Sequence, residues 1–123
     1  MREPVGPFRG TRVEKPWGYE LIWARADRYV GKILHVQAGE ALSLQYHERK
    51  DETLYLLSGE VRMEIGDAGE TLTSITLRPG DSLHIPPHRR HRLHAVVTSD
   101  VLEASTPELD DVVRLEDRYG RTK

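Results

Sequence analysis

Apolar and polar residues alternate along short stretches of the chain, and this alternation predicts β-strands. In Glu60–Gly66 the apolar Val61, Met63 and Ile65 occupy every second position between charged residues, which is the period of a strand with one buried face. Further candidate strands, separated by turn residues, are Tyr19–Ala24, Arg28–Gln37, Leu42–His47, Thr53–Leu57, Thr71–Leu77, Ser82–Ile85, His91–Val97 and Val101–Ser105. About nine short strands with turns every 8–12 residues or so predict an all-β sandwich or barrel.

The two ends of the chain are expected to lie outside the main barrel. Residues 1–12 are predicted to form an N-terminal arm, and residues 13–123 a single barrel domain with a C-terminal tail. In the tail, Glu108–Arg118 is compatible with a short helix or with an extended segment along the barrel, and the sequence does not decide between them.

Composition and charge exclude several classes of function. At 123 residues the chain can bury one core, and its formal net charge of −2 gives no general attraction to nucleic acid or anionic membranes. It has no cysteine, so possible metal ligands are His, Glu, Asp and Gln. Charges at Arg2, Glu3 and Arg9 argue against a signal peptide, and no stretch approaches the roughly 20 apolar residues that cross a bilayer. We therefore expect a cytoplasmic protein.

Four possible metal ligands come together in the predicted strands. Gln45 and His47 lie two residues apart, so they share a strand face, and a hairpin after the following polar turn would bring Glu52 beside His47. A barrel can bring His91, at the start of a later strand, across to them. Two imidazoles, one carboxylate and one amide oxygen suit one divalent ion such as Zn, Mn, Fe, Ni or Co.

The other histidines are expected to be structural or solvent-facing, and they are His35, His84, His88 and His94. Of these, His88 lies nearest to the expected barrel mouth. The basic run His88–Arg92 lacks the interleaved aromatic residues of many nucleic-acid surfaces, so we interpret it as a solvated loop or a phosphate contact.

Two segments resemble the motifs of the cupin superfamily. The first, residues 39–59, has the spacing of the first cupin motif and places Gln45 where most cupins have His. The second, residues 80–91, resembles the second motif with His88 in place of its usual glycine. The resemblance implies a cupin fold, a double-stranded β-helix or jelly-roll barrel, with the four predicted ligands as its metal set.

The chain more closely resembles the type II phosphomannose isomerase domain, which commonly forms the C-terminal part of mannose-1-phosphate guanylyltransferase. The segments that carry this resemblance are Glu14–Gly18, Leu42–His47, Ile85–Pro86, His91–Leu93, Asp111–Arg114 and Asp117–Arg121. That family also has Gln at the position of Gln45. It usually differs from this chain around the pocket, at the positions of Arg49, Lys50 and Thr53–Leu54. The chain has no glycine-rich nucleotide loop, so we expect no nucleotide-sugar synthesis by it alone.

The resemblance implies a metal-dependent isomerase that interconverts mannose 6-phosphate and fructose 6-phosphate. The reaction moves a proton between C2 and C1 through an ene-diolate, whose charge a metal can stabilise as a Lewis acid. Lys15 and Lys32 are the candidate catalytic residues for proton transfer. Arg118 and Arg121 are candidates for holding the phosphate, and Arg92 is either a substrate contact or a salt-bridge partner. Each of these residues is also compatible with a surface role, and Lys15 and Lys32 are also compatible with binding phosphate without moving protons.

Two other functions fit the same residues. A non-catalytic, metal-containing cupin that binds a sugar or small acid is consistent with the substituted pocket positions. A metal-dependent dioxygenase would use the same fold and similar ligands, although Gln45 in place of His argues mildly against it. In each case we expect a homodimer, because small cupins have exposed strand edges, and the arm with Val5 and Phe8 could lie across a neighbour's sheet.

Overall fold

A computed structural model describes residues 3–122, and within this range the chain forms eleven strands and no helix. The strands are β1 (Thr11–Lys15), β2 (Gly18–Arg25), β3 (Val30–Val36), β4 (Leu44–Tyr46), β5 (Glu52–Ser58), β6 (Val61–Gly66), β7 (Thr73–Leu77), β8 (Ser82–Ile85), β9 (Arg90–Ala95), β10 (Ser99–Ser105) and β11 (Val113–Glu116). The all-β fold predicted from the alternation is confirmed.

The strands form two antiparallel sheets around one core. The first sheet has six strands in the order β1-β2-β3-β10-β5-β8, and the second has five in the order β11-β4-β9-β6-β7. The chain passes back and forth between the sheets, as in a jelly-roll barrel. Both inner faces contribute to the core, which includes Leu34, Leu56, Val61, Met63, Ile85 and Val101.

All nine predicted strands are present, and two further strands lie at the ends of the described chain. In β6, Val61, Met63 and Ile65 are buried as their alternation predicted. The first additional strand, β1, is an edge strand with few apolar residues and therefore has a weak sequence pattern. The second, β11, pairs with β4, so the tail is extended along the barrel rather than helical.

The N-terminal arm is described from Glu3 onward, and residues 3–10 form neither helix nor strand. The side chains of Val5 and Phe8 in this segment are exposed. Residues 1, 2 and 123, at the ends of the predicted arm and barrel, lie outside the described range, and the predicted boundary between arm and barrel stays a prediction. No helix within residues 3–122 is long and apolar enough to cross a membrane.

Two turns show how local backbone geometry positions the sheets. Gly59 has a φ of 95°, and a Cβ at this position would lie 2.7 Å from the Cβ of Ser99, so the turn between β5 and β6 requires glycine. His88, in the loop between β8 and β9, has a φ of 72°, a left-handed conformation that is uncommon outside glycine. Its backbone N–H donates to the carbonyl O of His47 at 2.7 Å and ties this loop to the end of β4.

Candidate metal centre and its pocket

Three of the four predicted ligands meet between the two sheets. His47 directly follows β4 and His91 lies in β9, so the second sheet contributes the imidazoles, and Glu52 begins β5 of the first sheet. One possible ligand atom from each residue lies within 4.8 Å of the others. All three side chains are buried. The cluster can therefore hold a metal ion.

Backbone carbonyl groups orient the two imidazoles of this cluster. Nδ1 of His47 lies 2.5 Å from the carbonyl O of Asp111, and Nδ1 of His91 lies 3.0 Å from that of Arg89. Because a carbonyl oxygen only accepts hydrogen bonds, each Nδ1 carries a proton, so in its neutral form each ring has its lone pair on Nε2. Metal-binding histidines are commonly held in this way.

The protonation states of the cluster also suit a cation. Burial opposes ionisation of Glu52, but the contacts with His47, Lys50 and His91 outweigh it and hold the pKa of this carboxyl well below its usual range. Burial lowers the pKa of the His91 imidazole, against a smaller opposing attraction from Glu52. Near neutral pH, Glu52 is therefore a carboxylate and His91 is a neutral imidazole.

Two buried atoms of the cluster face each other without a hydrogen bond. Nε2 of His47 and Oε2 of Glu52 lie 2.7 Å apart, and neither atom has a hydrogen-bond partner within residues 3–122. Buried polar atoms in proteins are nearly always paired. A divalent cation bound to both atoms would satisfy them, so the residues of the cluster fit the metal that their types predict.

Gln45 lies beside this cluster and lines the same pocket. It is paired in register with His91 across β4 and β9. Its Oε1 accepts a hydrogen bond from Oγ of Ser43 at 2.6 Å. An amide oxygen has two lone pairs, so this bond leaves one available for a metal. The role of Gln45 as a fourth ligand stays a prediction.

Asp111 holds the loop that joins two of the ligands. Its carboxylate accepts hydrogen bonds from the backbone N–H groups of Glu48, Arg49 and Lys50, at 3.0, 2.7 and 2.8 Å. Burial opposes its ionisation, but these three bonds outweigh it and hold the pKa of Asp111 at about 2. Its carbonyl group also orients His47. One tail residue therefore fixes both a ligand and the segment leading to Glu52.

The metal cluster opens into a pocket with paired charges on its walls. Nζ of Lys32 lies 3.2 Å from Oε1 of Glu20, and Nζ of Lys50 lies 2.9 Å from Oε2 of Glu103. Burial opposes the charge on Lys50, yet attraction to Glu103 and Glu52 outweighs it and raises the pKa of the ammonium group. These contacts place two lysine–glutamate pairs deep in the barrel beside the candidate metal ligands.

Four charged residues of the pocket were absent from the predicted site, namely Glu20, Lys50, Glu103 and Arg114. A sequence signal exists for Glu103, because it lies two residues from both Val101 and Ser105 in β10 and therefore shares their buried face. Lys50 lies in the irregular segment after β4 and is buried only because Asp111 folds that segment inward. The position of Arg114 at the pocket depends on the pairing of β11 with β4. The sequence did not predict this pairing, because it left the conformation of the tail open.

The predicted catalytic and substrate residues divide into two groups. Lys15, Lys32 and Arg121 line the pocket. Arg92 instead points away from the inward-facing His91 and contacts Glu64 and Glu116 at 3.0 and 3.1 Å. Arg118 is exposed, and its Nη1 donates to the carbonyl O of Gly39. The roles of all five residues stay predictions. Only the three in the pocket lie where they could contact a ligand bound there.

The sequence is similar to part of the mannose-1-phosphate guanylyltransferases of two bacteria. The chain is 38% identical over 115 residues to mannose-1-phosphate guanylyltransferase ManC of Salmonella typhimurium, covering 89% of this chain and 23% of the relative. It is 37% identical over 116 residues to mannose-1-phosphate guanylyltransferase of Escherichia coli, with the same two coverages. The chain thus spans about a quarter of the length of these relatives. The predicted resemblance to this group is confirmed.

A solved structure and a family profile agree with the observed fold. KdgF from Halomonas sp. superimposes with a TM-score of 0.68 at 26% sequence identity, covering 78% of this chain and 85% of that chain. The cupin domain profile matches residues 32–103, which include the candidate ligands and strands of both sheets. Because this match extends over more than half of the sequence, the chain belongs to the cupin family.

Proposed function

We propose that this chain is a metal-dependent sugar-phosphate isomerase that interconverts mannose 6-phosphate and fructose 6-phosphate. The observation that carries the proposal is the buried His47–Glu52–His91 cluster, which opens into a pocket lined by basic side chains. The relatives named mannose-1-phosphate guanylyltransferase support a sugar phosphate as the class of substrate. A cytoplasmic location, expected from the sequence, is part of the proposal.

The protein's own ligands determine what a metal can do here. His47, Glu52 and His91 would hold the ion, with Gln45 as a fourth ligand. When bound, a divalent ion would act as a Lewis acid toward the sugar oxygens at C1 and C2 and stabilise the negative charge of the ene-diolate. This donor set accepts Zn, Mn, Fe, Co or Ni.

Proton transfer between C2 and C1 requires a base in the pocket, and we assign this role to Lys32 rather than Lys15. Lys32 is buried, and Oε1 of Glu20 lies 3.2 Å from its Nζ. Glu20 can accept one proton from the Lys32 ammonium group, which leaves an amine. The amine would take the proton from C2 and return it to C1, while the hydroxyl proton of the sugar moves from O2 to O1. The proton on Glu20 then returns to Lys32, so both residues end in their starting states.

A coupled assay tests the isomerase proposal. Metal-depleted protein is reconstituted with Mn, Zn, Co or Fe, and formation of fructose 6-phosphate from mannose 6-phosphate is measured. We expect turnover that depends on metal, and we expect Lys32→Met to lower kcat by about 100-fold or more while metal binding is kept. Arg62→Gln, on the exposed face of β6, is the control and should behave as the parent. No turnover with any of the four metals would contradict the proposal.

A non-catalytic sugar-binding cupin is the second candidate. The observation that favours it is the pairing of Lys32 with Glu20 and of Lys50 with Glu103, which engages both lysine side chains with carboxylates of the protein. This candidate predicts that mannose 6-phosphate binds to the metal-loaded protein without turnover. Calorimetry on the same samples as the coupled assay distinguishes the two functions.

We also propose that the protein is a homodimer formed through the outer face of the first sheet. Leu21, Ile33, Leu102 and Tyr55 are paired in register across β2, β3, β10 and β5. They alternate with inward-facing residues and so form an apolar row on the outer face. Exposed Leu57 lies two residues from Tyr55 on the same face. An apolar sheet face of this kind is typical of an interface between copies.

A further inference from the structure

Five basic side chains line the pocket, and two of them have no acidic partner. Lys32 is paired with Glu20, Lys50 with Glu103, and Arg121 with Asp117. Among residues 3–122, neither of the remaining two, Lys15 and Arg114, has a carboxylate oxygen within 4.0 Å. The pocket therefore contains two cations whose charge the surrounding protein does not pair directly.

Arg114 also has an unsatisfied buried hydrogen-bond donor. Its Nε is buried and has no acceptor within the described chain. Arg114 does exert an attraction on Asp117, whose pKa is lowered mainly by the hydrogen bond from Arg121 and in smaller part by this attraction. Both carboxylate oxygens of Asp117 are bound by Arg121, at 2.8 and 3.0 Å. Asp117 is thus engaged by Arg121, and the Arg114 guanidinium is free to bind a ligand.

The position of Arg114 is set by strand pairing with the metal cluster. Arg114 on β11 is paired with Gln45 on β4, which is paired with His91 on β9. Neighbouring strands are separated by about 4.8 Å, so the Arg114 backbone lies roughly 10 Å from that of His91 along this row. Lys15, at the end of β1, lines the same pocket from the first sheet.

We propose that Arg114 and Lys15 form an anion subsite that binds the phosphate of a phosphorylated sugar whose other end lies at the metal cluster. A guanidinium group binds two phosphate oxygens through parallel N–H bonds, and a lysine adds a second positive charge. Two unpaired cations match the dianionic form of a phosphate monoester better than the single charge of a carboxylate. This inference identifies the residues that would bind the phosphate of the proposed substrate, and it therefore rests on the proposed function.

The choice of Arg114 differs from the arginines predicted from the sequence to hold phosphate, Arg118 and Arg121. Arg118 is exposed and already donates to the carbonyl O of Gly39. Arg121 uses its Nε and Nη2 on Asp117, which leaves only part of its guanidinium for a ligand. Arg114 lacked a signal in the sequence because its direction depends on the β11–β4 pairing.

Calorimetric titration of the metal-loaded protein with mannose 6-phosphate and with unphosphorylated mannose tests the subsite. We expect Arg114→Gln to raise the Kd for mannose 6-phosphate by about 30-fold and to leave the weak binding of mannose unchanged. The Kd of Arg114→Lys for mannose 6-phosphate should lie between those of the parent and Arg114→Gln. Lysine keeps the positive charge but lacks the two parallel N–H donors of the guanidinium group. Lys15→Gln should raise the same Kd, and Arg121→Gln should have a smaller effect than Arg114→Gln. Arg62→Gln on the exposed face of β6 is the matched control.

The outcomes separate this subsite from the isomerase proposal. An unchanged Kd in Arg114→Gln, with normal metal content showing an intact fold, would overturn the subsite even if the parent turns over substrate. Equal affinity of the parent for mannose 6-phosphate and for mannuronate, the analogue with a carboxylate, would overturn the choice of phosphate. Phosphate-dependent binding that is lost in Arg114→Gln, without turnover by the parent, would support the subsite and contradict the isomerase.

Discussion

Gln45 links the candidate metal cluster with the proposed anion subsite, since its neighbours in register are His91 on one side and Arg114 on the other. Its amide oxygen is held by the Ser43 hydroxyl. A neutral oxygen donor leaves a bound ion more electron-poor than an imidazole would, and this favours Lewis-acid work on sugar hydroxyls. At the scale of single residues, an amide oxygen instead of an imidazole at position 45 is the feature that favours isomerase chemistry over redox chemistry.

Substitutions at Gln45 test this reasoning. Gln45→Leu removes the donor and should weaken metal binding by about tenfold or more, with a parallel loss of turnover. Gln45→His should keep or tighten metal binding and lower isomerase activity, because imidazole donates more electron density. Titration calorimetry with Mn or Zn and the coupled assay measure the two effects. Ser43→Ala, which keeps the amide, is the control with a smaller expected loss. Parent-like metal affinity in Gln45→Leu would show that Gln45 is not a ligand.

His88 offers a test of backbone strain next to the ligands. Its φ of 72° places a Cβ-bearing residue in the left-handed region. His88→Gly should raise the free energy of unfolding by about 1 kcal/mol, because glycine adopts this conformation without steric cost. Urea denaturation measures the change. His88→Ala, which keeps the Cβ and therefore the strain, should not stabilise the protein, and equal stabilisation by both variants would contradict the explanation.

At the scale of elements, the C-terminal tail holds and lines the candidate site, which its sequence pattern did not indicate. Asp111 binds three backbone N–H groups of the loop between the ligands, and β11 places Arg114 beside Gln45. Tyr119 donates a hydrogen bond to Glu40 and packs against the core. The tail therefore closes one side of the pocket and braces His47.

The central strands and the metal cluster were predictable for physical reasons. Strands with one buried face show a period of two, as in β6, and His47 and Glu52 lie on either side of a short turn, so local geometry brings them together. The edge strand β1 and the tail strand β11 bury few residues and lack that period. Residues such as Lys50 and Arg114 face the pocket only because of long-range contacts, which no local pattern records.

A cluster on the outer face of the second sheet predicts a pH dependence of stability. Glu64 accepts hydrogen bonds from Arg92 and His94, and these outweigh partial burial and lower the pKa of Glu64. A carboxyl with a lower pKa in the folded state stabilises the fold above its unfolded pKa of about 4.3, and this contribution is lost as the pH falls through the folded value.

Glu64→Gln should therefore be less stable than the parent by about 1 kcal/mol at pH 7, and this difference should shrink as the pH falls below about 4. Urea denaturation across this range measures it. Glu60→Gln, at a neighbouring position without a side-chain partner among residues 3–122, is the control and should follow the parent at each pH. A difference between Glu64→Gln and the parent that is the same at every pH would contradict the assignment.

At the scale of the whole molecule, the barrel separates a charged interior pocket from an apolar outer sheet face. The paired lysines and the metal cluster lie between the sheets, and Ile33 and Tyr55 face outward on the first sheet. In the proposed function, the interior pocket would recognise a small polar ligand, and the outer sheet face would bind a second copy of the chain.

Sedimentation analysis tests the predicted dimer. The parent should sediment as a dimer at micromolar concentration, and Tyr55→Glu together with Ile33→Glu should shift it to a monomer by placing charges in the apolar row. Leu115→Glu adds a charge at an exposed apolar residue of β11, outside this face, and should leave the dimer intact. A monomeric parent would contradict the prediction, as would dissociation by Leu115→Glu to the same extent.

The metal content of the reconstituted protein, measured by inductively coupled plasma mass spectrometry, tests the central claim most directly. We predict about one divalent ion per chain in the parent, as expected for a single site with these ligands. The double variant His47→Ala/His91→Ala should carry none while remaining folded by circular dichroism. His35→Ala/His94→Ala removes two histidines outside the cluster and should keep full occupancy. Full occupancy in His47→Ala/His91→Ala would contradict the account.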